Sequence, residues 1–326
     1  MASSEHIKAL VKSHLEQDDE RFLSIALQLA AHEARIGHGV LAQDIREILD
    51  RAKKKSAHKS TISIAKSVQD TSGLLSVSHP KNRLAELITS KEIDGKLKRI
   101  ISEQRHMSRL KNHGLSPRRH ILLVGPPGTG KTFTASILAG ELDYPLFEVR
   151  LDALITKFMG ESSAKLRQVF DAINDVRGVY FFDEFDALGT QRTSTNDVGE
   201  ARRILNSFLQ MIEQDNSNSL IVCATNHIEI LDHALFRRFD DVIRYELPSD
   251  DEIIALLKKR LAGFVTNRFS WKKVLEKSQG LSNAELTRAS EEAIKHILIN
   301  GIEKITLEGL IEAITDRSEM RKNLTR

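Results

Sequence analysis

The sequence is poor in cysteine, proline and aromatic residues. Among its 326 residues there are one cysteine, Cys223, and six prolines, and aromatic residues make up 5%. A single cysteine excludes an internal disulfide and favours a reducing compartment. The first twenty residues lack the apolar core of a signal peptide, and no run approaches the roughly 20 apolar residues of a membrane helix. We therefore expect a cytoplasmic protein without a membrane span.

An excess of charge of one sign is also missing. Lysine and arginine number 48 against 45 acidic residues, which gives a net charge of +3. This balance argues against a dedicated nucleic-acid coat protein. The basic run from Lys53 to Lys55 leaves two interpretations open, a local nucleic-acid contact or a solvated helix end. The sequence also has no H-E-x-x-H or G-x-S-x-G protease motif and no zinc-finger spacing.

The pattern of apolar residues divides the chain into four segments. Residues 1–56 carry apolar residues at helical spacing and predict a small all-helical N-terminal domain. Residues 57–83 are rich in Ser and Thr and predict a linker. Residues 84–247 alternate apolar runs with helical patterns and predict an α/β subdomain, and residues 248–326 are helical again.

Two details refine this division. Five apolar runs predict buried parallel strands, at 120–124, 145–149, 179–182, 220–225 and 242–247. The C-terminal segment contains two Ser-x-x-Glu capping boxes, starting at Ser249 and Ser282, which predict the beginnings of two helices.

A glycine-rich loop follows the first of these strands. "GPPGTGKT" has the form G-x-x-x-x-G-K-T between a strand and a helix. Glycines let backbone N–H groups turn towards an anion, and the helix N-terminus adds its positive dipole end. Lys131 can reach the outer phosphates of ATP, and the Thr132 hydroxyl can bind Mg²⁺. The candidate nucleotide-binding residues here are Gly125, Pro126, Pro127, Gly128, Thr129, Gly130, Lys131, Thr132 and Phe133.

An acidic pair ends the strand at 179–182. In a parallel sheet, a carboxylate at this position faces the phosphate loop, so we expect Asp183 to bind Mg²⁺ with Thr132. Glu184 is the candidate general base for the attacking water, and this favours hydrolysis over phosphoryl transfer to another substrate. Asn226 ends the next strand and is a candidate to orient that water. The alternative is that these polar residues only solvate strand ends.

Together these motifs resemble the AAA family of ATPases within the AAA+ class, over residues 84–320. The resemblance implies a P-loop AAA+ module with a parallel five-stranded sheet in the order 5-1-4-3-2 and a C-terminal helical lid. It places Asn226 in the sensor-1 role. It also identifies Arg237 and Arg238, in "FRRFDD", as arginine fingers that act on ATP bound by the next subunit of a homo-oligomer, with a hexamer expected. The alternative for this pair is an ordinary surface position.

The stretch "TKFMGE" resembles the first pore loop of the same family. By that resemblance Lys157, Phe158 and Met159 line a central channel and grip an extended polypeptide substrate. An exposed aromatic ring offers contact area that does not depend on the substrate's side chains. The alternative is that Phe158 is a buried packing residue.

"GLSNAEL" resembles the lid signature of the family. The resemblance places adenine near Gly280 and Ala284, against residues 87–89. Ala284 stands where other AAA+ classes carry a sensor-2 arginine, which argues against clamp loaders and replication initiators.

The whole arrangement resembles bacterial ATPases that are paired with a subtilisin-like serine protease. It implies an ATPase that remodels, unfolds or threads a protein, with such a protease as a partner in a defence or toxin–antitoxin module. Two alternatives stay open: a DNA-linked ATPase such as a transposition helper or helicase loader, and an ATP-dependent switch that holds a protease without threading.

Overall fold

The computed structural model describes residues 2–15, 19–39, 41–49, 73–154, 161–188, 195–227, 236–265 and 269–324. The chain divides into two compact units. One unit comprises residues 1–72 and 102–117, and the other comprises 73–101 and 118–326. Within the described residues, no helix has the length and apolar character needed to cross a membrane.

The first unit is helical. It contains α1 (Ala2–Leu15), α2 (Asp19–Arg35), α3 (41–49) and α5 (Met107–Asn112). Ala26 and Ala30 of α2 are buried, and the rings of His6 and His32 stack with centroids 5.7 Å apart. Helices therefore occupy most of the described part of residues 1–56, where the helical N-terminal domain is predicted. The predicted domain boundaries themselves stay predictions.

The second unit is built on a six-stranded mixed sheet in the order β1-β3-β4-β5-β2-β6. β1 runs antiparallel to β3, and the other neighbours are parallel. The strands are β1 (Leu75–Ser78), β2 (His120–Val124), β3 (Leu146–Val149), β4 (Val179–Phe182), β5 (Leu220–Thr225) and β6 (Asp241–Arg244).

The expected five-stranded parallel sheet was wrong in its count and in being all parallel. The five predicted strands stand as β6-β2-β5-β4-β3, and β1 is added at the edge beside β3. β1 lies in the segment predicted as a linker, 57–83. Its sequence, Leu-Ser-Val-Ser, buries only Leu75 fully, because an edge strand needs few apolar residues and so resembles a polar linker.

Helices cover both faces of this sheet. On one face, Ile121 and Leu123 of β2 pack in one cluster with α4 (Lys91–Arg105) and α6 (Lys131–Leu142). On the other face, the ring centroids of Phe182 and Phe208 lie 5.1 Å apart, and Phe208 belongs to α9 (Thr195–Gln214). Because helices cover both faces of the sheet, the central strands β2 and β5 are buried along their whole length and are mostly apolar. The helices of this part are α4 (Lys91–Arg105), α6 (Lys131–Leu142), α7 (Leu151–Leu154), α8 (Glu161–Asp175) and α9 (Thr195–Gln214).

The C-terminal part is a helical lid with a core of its own. It contains α10 (Asp250–Arg260), α11 (Trp271–Ser278), α12 (Asn283–Asn300) and α13 (Leu307–Leu324). Leu257, Leu286 and Leu310 are fully buried in its core. Both predicted capping boxes are confirmed, since Ser249 N donates to Glu252 at 2.8 Å and Ser282 N donates to Glu285 at 2.7 Å.

Candidate functional site

The glycine-rich loop connects β2 to α6 and packs tightly against its surroundings. A Cβ at Gly125 would lie 2.2 Å from the carbonyl oxygen of Tyr245, so no larger residue fits. A Cβ at Gly128 would lie 2.6 Å from Ser282 Oγ in the lid. Gly128 also has φ +77°, a conformation that favours glycine. The glycines therefore allow close approach as well as the turn itself.

The Lys131 side chain is drawn into this loop. Its Nζ donates to the carbonyl oxygens of Gly125 (2.7 Å) and Pro126 (2.8 Å) and to Asn226 Oδ1 (2.7 Å). Burial lowers the pKa of the Lys131 ammonium, and the charges of Asp183 and Asp186 oppose this shift. The loop, the end of β5 and the lysine thus form one hydrogen-bonded group.

The carboxylate of Asp183 joins two predicted site residues. Thr132 Oγ1 donates to Asp183 Oδ2 at 2.8 Å, and the backbone N–H of Glu184 donates to Asp183 Oδ1 at 2.9 Å. Glu184 is exposed and has φ +50°, in the left-handed region that costs energy for a residue other than glycine. Such strain often occurs at functional positions.

The hydroxyl of Thr132 and the carboxylate of Asp183 suit a Mg²⁺ ion shared with phosphate. Mg²⁺ is held by hard oxygen ligands, usually one or two from protein with the rest from phosphate and water. No group of three or more His, Cys, Asp or Glu side chains that could hold a metal ion is present in the described residues. A shared ion needs no such cluster, so this pair fits the predicted metal site.

The end of β5 is fixed by a side chain from the turn that follows the neighbouring strand β4. Thr225 Oγ1 donates to Asp186 Oδ1 at 2.8 Å, and the N–H of His227 donates to Thr225 Oγ1 at 3.0 Å. Asn226 stands between these two residues and is held at Oδ1 by Lys131. Asn226 is therefore positioned beside the acidic turn that follows β4.

A cleft of about 520 Å³ lies between the sheet and the lid. Leu87, Ile88 and Leu256 supply apolar surface, and the sheet side is lined by most of the predicted polar residues. The predicted residues that line it are Pro127, Gly128, Gly130, Lys131, Thr132, Phe133, Asp183, Glu184, Asn226 and Ala284. Gly125, Pro126 and Thr129 are not in the lining and support the loop from behind, where Thr129 Oγ1 donates to the Pro126 carbonyl at 2.8 Å.

Gly280 was predicted to contact adenine, but it is not one of the residues that line the cleft. It forms the turn before α12, with φ +79°, and its carbonyl accepts a hydrogen bond from Arg321. Its glycine character is therefore explained by the turn.

Sequence reasoning missed several residues of the cleft. Arg288 and Glu291 share one face of α12 with the predicted Ala284, at spacings of four and three residues, and all three line the cleft. This periodicity was the available signal for the two residues that were missed. The other unpredicted residues are Glu86, Leu256, Arg260, Asn283 and Thr287.

Hydrogen bonds connect the lid to the large subdomain, and two of them come from the start of α12. The N–H of Ala284 donates to the carbonyl of Gly128 at 2.9 Å. Asn283 Nδ2 donates to the Ile88 carbonyl at 3.3 Å. A ligand that moves the phosphate loop would therefore act on the lid through adjacent residues of α12.

The structure places Arg237 and Arg238 apart from this cleft. Arg237 is exposed, and Arg238 forms an ion pair with Glu213 (Nε to Oε1, 2.7 Å). Neither belongs to the lining that the described residues provide. Lys157, Phe158 and Met159 of the predicted pore loop lie outside the described residues.

The chain is similar in sequence to known ATPases. The family model described as "ATPase family associated with various cellular activities (AAA)" matches residues 121–247. "Uncharacterized AAA family ATPase y4kL" of Sinorhizobium fredii is 31% identical over 328 residues, which cover 100% of this chain and 98% of that protein.

Other relatives share part of their length with this chain. A "Proteasome-activating nucleotidase" of Saccharolobus islandicus is 34% identical over 65% of this chain and 56% of its own length. An "ATP-dependent zinc metalloprotease FtsH" of Metamycoplasma arthritidis is 31% identical over 72% of this chain and 33% of its own. Among solved structures, the crystal structure of the FIGL-1 AAA domain matches with a TM-score of 0.60 and 25% identity, covering 74% of this chain and 85% of that one.

Proposed function

The chain belongs to the AAA family of ATPases, and from this premise we propose that it hydrolyses ATP in the cleft between sheet and lid to remodel a protein substrate. One observation carries the proposal: Lys131, the Thr132–Asp183 pair, Glu184 and Asn226 meet at the carboxyl edge of the sheet. Cationic, metal-binding and water-activating groups in one cleft are what phosphate-bond hydrolysis requires.

The phosphate loop would bind the phosphates of ATP. Its backbone N–H groups and the start of α6 offer an anion site, and the Lys131 ammonium adds a charge. Thr132 and Asp183 would hold Mg²⁺, which offsets negative charge on the phosphates when it is bound. Phosphate oxygens would take over the Lys131 Nζ hydrogen bonds that loop carbonyls now accept.

Glu184 would act as the general base for the attacking water. It follows Asp183 directly, its side chain is exposed, and it is among the residues lining the cleft. The hydrogen bond from its N–H to Asp183 fixes the backbone on which the carboxylate is carried. Asn226 would orient the same water from the end of β5.

Arg237 and Arg238 would complete the cleft of a neighbouring subunit. Asp240, two residues after Arg238, is hydrogen-bonded to His120 at the start of β2, whereas the phosphate loop begins at the other end of that strand. A strand of this length spans roughly 16 Å, more than an arginine side chain reaches. The separation supports action in trans, within a homo-oligomeric ring for which we propose six copies.

The proposed substrate is a polypeptide. The names of two relatives connect them with proteolysis, since one activates a proteasome and the other is an ATP-dependent metalloprotease. The resemblance of the whole arrangement to bacterial ATPases that are paired with a subtilisin-like serine protease leads us to propose a separate protease of that type as its partner. Lys157, Phe158 and Met159 remain the proposed grip on the polypeptide.

Mixing two inactive variants tests the trans arrangement. Arg238→Ala keeps an intact cleft and lacks the finger, and Lys131→Ala keeps the finger and lacks a working cleft. We expect each to be inactive alone and the mixture to recover ATPase activity, because some seams then pair an intact cleft with an intact finger. A mixture as inactive as its components would contradict the arrangement.

The substrate class has a test of its own. We expect an unfolded protein to stimulate ATP hydrolysis severalfold and DNA to leave it unchanged. The Phe158→Ala variant should keep its basal ATPase activity and lose the stimulation. Stimulation by DNA alone would replace protein remodelling with the DNA-linked alternative.

A further inference from the structure

The arginine pair lies on a loop, residues 237–240, and three contacts within the chain set the position of this loop. Glu213 forms an ion pair with Arg238, the side chain of Phe239 is buried, and Asp240 fixes the end of the loop to the start of β2. All of these residues lie in the same compact unit. Phe239 and Asp240 lie in the stretch "FRRFDD", where only the two arginines have a predicted role, and Glu213 lies outside every predicted motif.

The Asp240 contact is the most extensive. Its Oδ2 accepts hydrogen bonds from the backbone N–H groups of Arg119 (2.7 Å) and His120 (2.9 Å). Its own N–H donates to the His120 carbonyl at 2.8 Å. A carboxylate that accepts two backbone hydrogen bonds is held strongly, so the chain two residues after Arg238 has a fixed position.

A second carboxylate holds the residues to which Asp240 is attached. Asp215 is fully buried, and its Oδ2 lies 3.0 Å from His120 Nε2 and 3.3 Å from Arg119 Nη1. Its Oδ1 accepts from the N–H of Ser217 at 3.0 Å. The start of β2 is therefore a rigid base for the loop.

Phe239 connects the loop to the acidic turn of the cleft. It is 7% exposed, and its ring meets the ring of Phe185 edge to face at 6.3 Å. Phe185 directly follows Glu184 in the chain and also packs on Phe208 at 4.7 Å. Because aromatic packing of this kind restricts rotation, the backbone beside Arg238 has little freedom.

Glu213 contacts the arginine itself. Its Oε1 lies 2.7 Å from Arg238 Nε, the nitrogen nearest the side-chain stem. The glutamate is 53% exposed and stands in the last turn of α9, so its own removal leaves the buried core intact. An arginine has many rotamers, and fixing it at Nε in advance reduces the entropy lost when it meets a phosphate.

We propose that Asp240 and Glu213 are positioning residues that set, within one subunit, where Arg237 and Arg238 are presented to the cleft of the next. This inference rests on the proposed trans role of the pair. Asp240 sets the position of the loop, and Glu213 sets the orientation of Arg238. Neither is among the described residues that line the cleft of its own subunit.

The mixed-variant assay tests this in a direction-sensitive way. In the mixture, the Lys131→Ala subunit donates the finger and the Arg238→Ala subunit accepts it. Glu213→Gln or Asp240→Asn is added to the donor in one experiment and to the acceptor in another. The matched control is Asp94→Asn in the donor, which removes another 2.7 Å ion pair, the one with Lys98 on α4.

We expect the recovered ATPase activity to fall only when the change is made in the subunit that donates the finger. Glu213→Gln in the donor should lower the recovered activity about threefold, as expected for an exposed ion pair, and Asp240→Asn should lower it at least about tenfold. The same changes in the acceptor should leave the recovered activity unchanged, because its finger is already absent. Asp94→Asn should behave like the unmodified donor.

Other outcomes separate the two proposals. Equal losses on both sides would mean that these carboxylates only stabilise the fold, and no loss on either side would overturn the inference while leaving the trans role intact. If Asp240→Asn does not fold, as thermal unfolding would reveal, the exposed Glu213→Gln change still decides the question. If the unmodified mixture recovers nothing, the trans role fails and this inference fails with it.

Discussion

The two ends of strand β2 lead to different groups of residues. Its carboxyl end leads into the phosphate loop, where Lys131 bonds to two loop carbonyls and to Asn226. Its amino end holds the loop of the arginine pair, through the carboxylates of Asp240 and Asp215. In our account the first end serves the subunit's own cleft, and the second serves its neighbour's.

The difference shows how function is encoded at each end. At the carboxyl end, the residues proposed to bind the phosphates are close in sequence, because they lie on one loop and one helix start. At the amino end, the supporting carboxylates come from the end of α9 and the start of β6, about a hundred residues after β2. At one end of β2 the proposed site can be recognised from sequence motifs, and at the other end the supporting residues are brought together only by the fold.

Glu184→Gln has the largest expected effect on ATP hydrolysis, and it acts in the cleft at the carboxyl end of β2. Removing the proposed base should reduce hydrolysis by about 10²- to 10⁴-fold, while nucleotide affinity stays the same because the phosphate loop is untouched. Steady-state hydrolysis and binding of a fluorescent nucleotide measure the two effects. Glu148→Gln, at an exposed position on β3, is the control and should hydrolyse normally. Normal turnover in Glu184→Gln would refute the proposed role.

Gly128→Ala tests the closeness of the lid to the phosphate loop. The added Cβ would lie 2.6 Å from Ser282 Oγ and 3.1 Å from Ala284 Cβ, so the lid must shift. We expect nucleotide affinity to fall by about thirtyfold, a cost typical of overpacking combined with an unfavourable φ.

Gly95→Ala is the matched control for this change. Gly95 lies within α4, and a Cβ there meets nothing within 4 Å. Alanine should therefore stabilise the protein by roughly 0.5–1 kcal/mol, with no change in nucleotide affinity. Equal nucleotide affinity in Gly128→Ala and Gly95→Ala would show that the lid does not depend on this close approach.

Asp215→Asn has the smallest expected effect and belongs to the amino end. Burial raises the pKa of this carboxyl, but hydrogen bonds from His120 and Ser217 and the charge of Arg119 outweigh it, so the pKa lies below its ordinary value of 3.8. A lowered pKa stabilises the fold above the ordinary pKa, and this contribution disappears as the pH falls through the native value.

We therefore expect Asp215→Asn to lower the free energy of unfolding by about 1 kcal/mol at neutral pH. The difference from the unaltered protein should shrink below about pH 4, and nucleotide affinity should not change. Urea unfolding at several pH values measures this. A difference that stays constant down to pH 2 would show that the charge of Asp215 contributes nothing.

The same contrast explains what the sequence could predict. Apolar runs predict buried strands, and the loop at 125–132, Asp183 and Asn226 each follow such a run. The capping boxes at Ser249 and Ser282 predict helix starts that the structure contains. β1 was missed because its alternation of apolar residues and serines covers only four residues of a segment rich in Ser and Thr. Gly280 is absent from the cleft lining that the described residues provide, and a turn glycine looks like a ligand-contacting glycine in sequence.

The supports of the arginine pair were beyond reach for another reason. Asp240 accepts hydrogen bonds from backbone atoms some 120 residues earlier, and Glu213 pairs with a residue on a different element. Backbone partners leave no trace in side-chain patterns. Such contacts become visible only when the fold brings the elements together.

The central claim is that ATP is hydrolysed at a seam between two subunits, and the specific activity at different degrees of assembly tests it most directly. ATP hydrolysis per subunit would be measured over a dilution series, with sedimentation velocity reporting the assembled fraction in each sample. The account predicts that activity per subunit rises in proportion to the assembled fraction and is close to zero for the monomer. A monomer that hydrolyses ATP at the rate of the assembled protein would contradict it.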